Sequence, residues 1–173
     1  MFDSVAGIEN ILIKANKIKL LITDVDGVLT DAGVYYSSEG EQLKRFSIRD
    51  GMGVERLHNI CDVETAIITG ETSGSVVKRA EKLKISKLFL GIKQKEPVLF
   101  EILSQYNLEA QEVAYIGDDV NDMEVMRHCG LKAAPADAME QIKTMVDYVT
   151  KNNGGHGAFR EFAELIIHAK TKK

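Results

Sequence analysis

The feature that most limits how this chain can fold is the alternation of short apolar runs with segments of helical periodicity. Each apolar run has the length of a buried strand and is bounded by glycine or by charged residues. The predicted strands are 20–23, 63–69, 87–90, 113–116 and 131–134, with a further extended segment at 147–150. Strands that alternate with helices form a parallel sheet covered by helices on both faces. The sequence therefore predicts an α/β fold of three layers.

The segments between the strands carry apolar residues at helical spacing. The expected helices are 4–17, 50–59, 76–83, 95–103, 121–126, 138–145 and 159–166. Asp50 is predicted to cap the second helix. Two β-prone runs around a Ser-Ser-Glu-Gly turn predict a hairpin flap at 33–47, and the glycines of 154–157 predict a flexible hinge before the last helix. The 173 residues are predicted to form a single Rossmann-like domain, 1–173, in which 152–173 are the hinge and C-terminal helix.

Composition excludes several classes of protein. A net charge of −4 argues against a nucleic-acid surface, and no apolar run approaches the roughly 20 residues that span a bilayer. The N-terminus lacks the basic and apolar regions of a secretory signal. Cys61 and Cys129 lie far apart and lack metal-site spacing. A reduced, cytoplasmic protein without nucleic-acid or membrane partners is therefore expected.

Polar residues gather where the predicted strands end. They are Asp24 and Asp26, Thr69, Lys95 just past the third strand, and then Asp118, Asp119 and Asp122. The carboxyl ends of parallel strands meet at one edge of a sheet, where ligands bind in open α/β folds. Several carboxylates at one edge repel one another unless a cation lies between them, and hard oxygen ligands suit Mg²⁺. Carboxylates, a hydroxyl and a lysine around Mg²⁺ match what phosphoryl transfer requires.

Four short motifs in this order resemble those of the haloacid dehalogenase superfamily of phosphatases. They are Asp24-Val25-Asp26-Gly27-Val28, Ile68-Thr69-Gly70, Lys95, and Gly117-Asp118-Asp119-Val120-Asn121-Asp122. The compact length, without an inserted cap domain, resembles the branch that acts on 3-deoxy-manno-octulosonate 8-phosphate. Arg49-Asp50-Gly51 and the Gly-Gly-x-Gly segment before the last helix are similar to that branch as well.

The resemblance implies a role for each matched residue. Asp24 is expected to be the nucleophile that forms an aspartyl-phosphate, and Asp26 the general acid and base. Asp24, the backbone carbonyl of Asp26 and Asp118 are expected to hold Mg²⁺, with Asp119 and Asp122 behind them. Thr69, Gly70 and Lys95 are expected to bind the phosphoryl group.

The resemblance leaves two classes of substrate open, eight-carbon and nine-carbon sugar acid phosphates. Glu71 follows the second motif where octulosonate phosphatases carry arginine, and Glu71 with Lys82 resembles relatives that act on nine-carbon sugar acids such as 2-keto-3-deoxynononate 9-phosphate. Arg49 resembles the octulosonate type, and Arg49 or Arg160 is expected to pair with a substrate carboxylate. The branch implies a homotetramer in which the hairpin and the tail close a neighbour's site.

Three other interpretations stay open at this point. One is a phosphatase of broad specificity. Another is a receiver-like signalling module phosphorylated on Asp24, although an acid and base two residues away favours hydrolysis. The last is a non-catalytic partner of a sugar-activating enzyme, which would not need all of these site residues.

Overall fold

The computed structural model describes residues 5–172, so the predicted helix start at Ser4 and the last residue of the tail lie outside it. Within this range six parallel strands form one sheet in the order β5-β4-β1-β6-β7-β8. The strands are β1 (Leu20–Thr23), β4 (Glu64–Ile68), β5 (Lys87–Phe89), β6 (Val113–Ile116), β7 (Leu131–Ala134) and β8 (Tyr148–Val149). The predicted α/β class and all six predicted strand positions are confirmed.

Helices cover both faces of the sheet because side chains alternate along each buried strand. Leu21 belongs to one apolar cluster together with Phe159 and Phe162, whereas Leu20 and Ile22 belong to the other. The helices are α1 (Val5–Lys17), α2 (Ile48–Cys61), α3 (Gly74–Leu83), α4 (Lys95–Tyr106), α5 (Met123–Arg127), α6 (Glu140–Lys143) and α7 (Ala158–Thr171). Among the described residues, no helix has both the length and the apolar character needed to cross a membrane.

The order of the strands determines where the loops meet. β1 lies between β4 and β6, and Thr23 at its end is in register with Ile67 and Ile116. The loops that follow these three central strands therefore leave the sheet side by side. They carry Asp24, Thr69 and Asp118, which is the convergence that the sequence predicts.

The predicted hairpin is present as β2 (Val34–Ser37) and β3 (Gly40–Lys44), paired antiparallel and separate from the main sheet. The hairpin exposes apolar side chains and buries a charged one, which is the reverse of an ordinary surface hairpin. Tyr35, Tyr36 and Leu43 are 63%, 72% and 62% exposed, whereas Lys44 is buried. The flap, as we call residues 33–47, thus presents apolar side chains outward and a charged one inward.

The predicted cap of the second helix is wrong. α2 begins at Ile48 with Ser47 as its N-cap, whose side chain accepts from the Arg49 amide. Asp50 lies inside the first turn and is buried. Its carboxylate instead accepts from the backbone amides of Gly157 and Arg160, at 3.2 and 2.9 Å, and so caps the start of α7.

The predicted hinge before the last helix is also wrong. Gly154 and Gly155 are buried, and the Gly155 amide donates to the Val28 carbonyl at 2.9 Å. A Cβ on Gly154 would lie 1.9 Å from the Gly27 carbonyl oxygen, so the two backbones pack directly on each other. The glycines serve close packing against the loop after β1 rather than mobility.

Candidate active site

The site is centred on Asp24, which directly follows the central strand β1. The Asp24 amide still donates to the Ile116 carbonyl at 3.1 Å, so the strand ladder fixes its backbone. Its side chain is almost fully buried. Carboxylate oxygens of Asp24, Asp118 and Asp122 all lie within 4.8 Å of one another. The fold thus concentrates negative charge at the edge where the sequence predicts it.

A buried lysine holds two of these carboxylates. The Nζ atom of Lys95, at the start of α4, lies 3.0 Å from Asp24 Oδ1 and 2.7 Å from Asp122 Oδ1. Tyr115 Oη also donates to Asp122 Oδ1 at 2.7 Å, and the Asp118 amide donates to Asp122 Oδ2 at 3.2 Å. Both oxygens of Asp122 are therefore occupied by protein donors, which agrees with a supporting role for Asp122 behind the site.

Electrostatics show that these carboxyl groups are crowded. Burial and the nearby Asp122 carboxylate raise the pKa of Asp24 to about 7 against the opposing effect of Lys95. Burial and the neighbouring carboxylates of Asp24 and Asp122 raise the pKa of Asp118 to about 8. Burial alone would lower the pKa of Lys95, but Asp122 and Asp24 outweigh it and raise the value. The cluster lacks positive charge for full ionisation near neutral pH.

The residues fit a divalent cation. Asp118 Oδ1 is buried and has no hydrogen-bond partner in the described chain, which is a costly arrangement unless a ligand completes it. Gly27 makes room for this carboxylate, because a Cβ at that position would lie 2.0 Å from Asp118 Oδ2. Gly27 also has φ +85°, which favours glycine. Aspartate oxygens without histidine or cysteine form a donor set for a hard ion such as Mg²⁺.

A cavity of about 410 Å³ opens above the cluster. It is lined by Asp24, Asp26, Ala32, Thr69, Gly70, Glu71, Ile92, Lys93, Asp118, Asp119, Val120 and Asn121. Thr69 and Gly70 are thus placed where a phosphoryl group could meet them. Lys95 is absent from this lining and lies beneath Asp24, with a fully buried side chain. Asp119 lines the cavity, but its Oδ1 accepts from the Val120 amide and caps the following turn.

Sequence reasoning missed side chains that contact the carboxylates of the site, among them Tyr115 beside Asp122 and a lysine on the flap. Lys44, at the end of β3, places Nζ 2.7 and 2.6 Å from Asp26 Oδ1 and Oδ2. Its side chain is 1% exposed. The signal was present in the hairpin, where Leu43 and Lys44 must lie on opposite faces. An amphipathic interpretation puts the leucine inward, and the structure has the opposite arrangement.

The residues predicted to recognise the substrate are not brought together within one chain. Glu71 lines the cavity and lies 3.5 Å from Lys93 Nζ. Lys82 lines a different cavity at the start of β4, at the opposite edge of the sheet, so the structure does not pair it with Glu71. The Arg160 guanidinium lies 2.7 Å from Glu164 on α7. Arg49 is exposed on the first turn of α2 and is outside the cavity lining.

Comparisons with known proteins agree with this geometry. A family model for haloacid dehalogenase-like hydrolases matches residues 92–162. The chain is 41% identical over 159 residues to the 3-deoxy-D-manno-octulosonate 8-phosphate phosphatase of Haemophilus influenzae, covering 92% of this chain and 88% of the relative. The crystal structure of the Yersinia pestis phosphatase of that name superposes with a TM-score of 0.91 at 40% identity, covering 95% of this chain and 88% of that one.

A third relative was solved with ligands. The 3-deoxy-D-manno-octulosonate 8-phosphate phosphatase of Moraxella catarrhalis, in complex with magnesium ion, phosphate ion and a KDO molecule, superposes with a TM-score of 0.90 at 38% identity. The match covers 94% of this chain and 92% of that one. The family resemblance predicted from the four motifs is confirmed, and the chain belongs to the haloacid dehalogenase-like hydrolases.

Proposed function

We propose that this chain is a Mg²⁺-dependent phosphatase that hydrolyses 3-deoxy-D-manno-octulosonate 8-phosphate through an aspartyl-phosphate. The observation that carries the proposal is the crowded cluster of Asp24, Asp118 and Asp122, in which Asp118 Oδ1 lacks a partner within the described residues. The proposal is supported by the similarity of the whole chain, at about 40% identity over most of its length, to 3-deoxy-D-manno-octulosonate 8-phosphate phosphatases.

Three groups of the chain suit the metal. Asp24, Asp118 and the backbone carbonyl of Asp26 would hold Mg²⁺, and the ion when bound would neutralise charge on the substrate phosphoryl oxygens. The relative from Moraxella catarrhalis, solved with magnesium and phosphate, supports this choice of ion. Asp122 and Asp119 would support the ligands, and Asp122 holds Lys95 in place.

The protein groups divide the reaction between them. Asp24 attacks phosphorus while the bond to the sugar oxygen breaks, and Asp26 gives that oxygen a proton. Asp26 then takes a proton from the water that attacks the aspartyl-phosphate, which releases inorganic phosphate and restores Asp24. Thr69 and Gly70 at the cavity wall would bind the phosphoryl oxygens. Lys95 would orient Asp24 and oppose its negative charge.

The proposed oligomeric assembly rests on the exposed apolar side chains of the flap. The outer surface of the flap and of the first turn of α2 exposes several apolar side chains: Tyr35, Tyr36, Leu43 and Ile48, the last of which is 81% exposed. We propose that this surface meets further copies of the chain in a homotetramer, and that the flap and tail complete a neighbour's site. Arg49, Arg160 and Lys82 would reach the substrate carboxylate only across such contacts.

The domain organisation and the cellular compartment belong to the same proposal. Residues 1–173 would act as one domain. The free cysteines Cys61 and Cys129 are compatible with a reducing cytoplasm.

The test is phosphate release with Mg²⁺, measured for octulosonate 8-phosphate beside 2-keto-3-deoxynononate 9-phosphate. We expect kcat/KM to favour the eight-carbon substrate by about 100-fold, which corresponds to about 2.7 kcal/mol. The reverse preference would replace the substrate with a nine-carbon sugar acid of a sialic-acid-like pathway and give Glu71 the deciding role. Full activity in Asp24→Asn, checked for folding, would refute the phosphatase mechanism itself.

A further inference from the structure

The contact between Lys44 and Asp26 links the flap to the candidate acid and base. Both carboxylate oxygens of Asp26 accept from the Lys44 ammonium, at 2.7 and 2.6 Å. Within residues 5–172, the other side chain in hydrogen-bond range is that of Thr30, whose Oγ1 lies 3.4 Å from Asp26 Oδ1. Two short bonds to a cation are stronger than one long bond to a hydroxyl. The orientation of the Asp26 side chain therefore depends chiefly on Lys44.

The ammonium has little freedom to leave this position. The Lys44 side chain is 1% exposed, and its second ionic neighbour, Glu41 Oε2, lies 3.8 Å away on the same strand. Asp26, by contrast, is one-quarter exposed and lines the cavity. A buried cation thus fixes a carboxyl group that faces the place where substrate binds.

The flap that carries Lys44 is fastened to the domain at both ends of β3. Ser73 Oγ donates to Glu41 near one end. At the other end the Arg45 guanidinium donates to the Gly155 carbonyl at 3.0 Å and to Asp31 at 3.3 Å. Lys44 therefore reaches Asp26 only when the flap is docked.

We infer that Lys44 is a positioning residue for catalysis, which makes the placement of Asp26 conditional on a docked flap. The inference rests on the proposed function, because it assigns Asp26 the transfer of a proton to the leaving oxygen. Proton transfer by a well-placed carboxyl group contributes about 10²–10⁴-fold to rate. A carboxyl group that rotates freely in a cavity loses part of that contribution.

The experiment compares two substrates in the Lys44→Met variant with Mg²⁺. Octulosonate 8-phosphate has a poor leaving group that needs protonation, whereas p-nitrophenyl phosphate has a good one that hardly needs it. The value of kcat/KM reports steps up to loss of the leaving group. We expect it to fall at least about 30-fold for the sugar phosphate, within the range that acid catalysis supplies, and less than about 3-fold for p-nitrophenyl phosphate. Equal losses on both substrates would overturn the inference.

A double variant separates positioning of Asp26 from direct contact with substrate. In an Asp26→Asn background, Lys44→Met is expected to lower kcat/KM for the sugar phosphate by less than about 2-fold, since the function that Lys44 serves is already absent. A further loss of 10-fold or more would show that Lys44 acts on something other than Asp26, and would overturn the inference.

Arg45→Met is the matched control, because Arg45 fastens the same strand without touching Asp26. We expect it to lower kcat/KM by less than about 3-fold on either substrate, because the Lys44–Asp26 and Ser73–Glu41 contacts still hold the strand. If Lys44→Met fails to fold, Lys44→Gln, whose amide can still donate one hydrogen bond, is measured in the same way and is expected to show a smaller split of the same sign. Wild-type protein that hydrolyses p-nitrophenyl phosphate but no sugar acid phosphate would instead count against the proposed substrate.

Discussion

Two buried lysines, one at the sheet edge and one on the flap, each hold a carboxylate of the site in a different way. Lys95 starts a helix packed on the central sheet, and its side chain has no exposure. Lys44 ends a strand of a separate two-stranded hairpin and is equally buried, but its partner Asp26 faces the cavity. An isolated hairpin is only marginally stable, whereas the six-stranded sheet is covered on both faces.

The difference separates two tasks of the site. Asp24, which forms a bond to phosphorus in the proposed reaction, is held by the part of the molecule that cannot move without unfolding. Asp26, which must meet the leaving sugar and later a water molecule, is held by a separate hairpin that side-chain contacts fasten to the domain. The comparison therefore predicts that damage at the sheet edge lowers both stability and activity, and that damage at the flap lowers activity much more than stability.

The largest effect is expected from removing each lysine in turn. Lys95→Met leaves Asp24 and Asp122 buried without their cation, and breaking such a buried pair costs about 3 kcal/mol. Lys44→Met leaves Asp26 partly hydrated and should cost about 1 kcal/mol. Urea denaturation in the presence of a chelator measures both free energies of unfolding. Equal losses would mean that the flap is as much a part of the folded core as the sheet edge.

The next largest effect is expected where the tail meets the loop after β1. In Gly154→Ala the new Cβ would lie 1.9 Å from the Gly27 carbonyl oxygen, so the backbone has to shift. Overpacking of this kind costs about 2 kcal/mol, and we expect activity to fall because the loop carries Asp26. Gly74→Ala is the control, since nothing lies within 4 Å of its Cβ. A fully active, equally stable Gly154→Ala would show that the tail is loosely attached.

A third prediction concerns pH at the sheet edge. The pKa values of Asp24 and Asp118 are raised to about 7 and about 8, so both groups bind a proton more tightly in the folded chain than in the unfolded chain. Their contribution to stability is complete below the ordinary value of 3.8 and is lost as pH rises through 7 and 8. The urea midpoint of the metal-free protein should therefore fall between pH 5 and pH 9.

The same carboxyl groups make Mg²⁺ binding dependent on pH. Metal ligands must lose their protons, so Mg²⁺ affinity should rise at least about 10-fold between pH 6.5 and pH 8.5. Titration calorimetry measures this change directly. Lys44→Met should follow the wild-type curve, because the flap supplies no metal ligand. A different pH dependence of Mg²⁺ affinity in that variant would show that the flap and the sheet edge are energetically coupled.

The smallest effect on stability is expected at the outer surface of the flap. Ile48→Asp changes a side chain that is 81% exposed and should alter the free energy of unfolding by less than about 0.5 kcal/mol. The same change should dissociate the proposed tetramer, as light scattering would reveal. Ile13→Asp on α1, at 61% exposure, is the control that should leave the assembly intact. Unaltered mass in both variants would place the subunit contacts elsewhere.

Much of the fold and of the sheet edge is predictable from the sequence because both follow from local patterns. Apolar runs ending in polar residues mark strands, and parallel strands bring their ends together, so Asp24, Thr69 and Asp118 are predicted to meet. Lys95 is indicated only by its spacing in the family's motifs, and its position beneath Asp24 is not predictable from the sequence. Its depth depends on packing between α4 and the sheet.

The flap and tail show where sequence patterns become ambiguous. Alternation along β3 places Leu43 and Lys44 on opposite faces but does not say which face is buried, and the hairpin reverses the usual preference of apolar residues for the inside. The glycines of the tail suggest mobility as readily as close packing, and only the three-dimensional approach of Gly154 to Gly27 decides between them. The sequence pattern predicts that Asp50 caps its own helix, whereas its carboxylate accepts from the Arg160 amide, 110 positions later, and caps α7.

The packing of the tail on the loop after β1 has a consequence for synthesis. The loop that carries Asp24 and Asp26 is translated early. The glycines that cover this loop, and the helix that fills one side of the core, are translated late. The distance along the chain is large: 110 positions separate Arg45 from its acceptor on Gly155. Chains emerge in order and their domains fold as units, so a ribosome-bound chain that lacks α7 has the carboxylates of the site but not the helix that covers one face of the sheet that brings them together. The chain would thus become catalytically active only after the last helix is synthesised, although all four motifs are synthesised earlier.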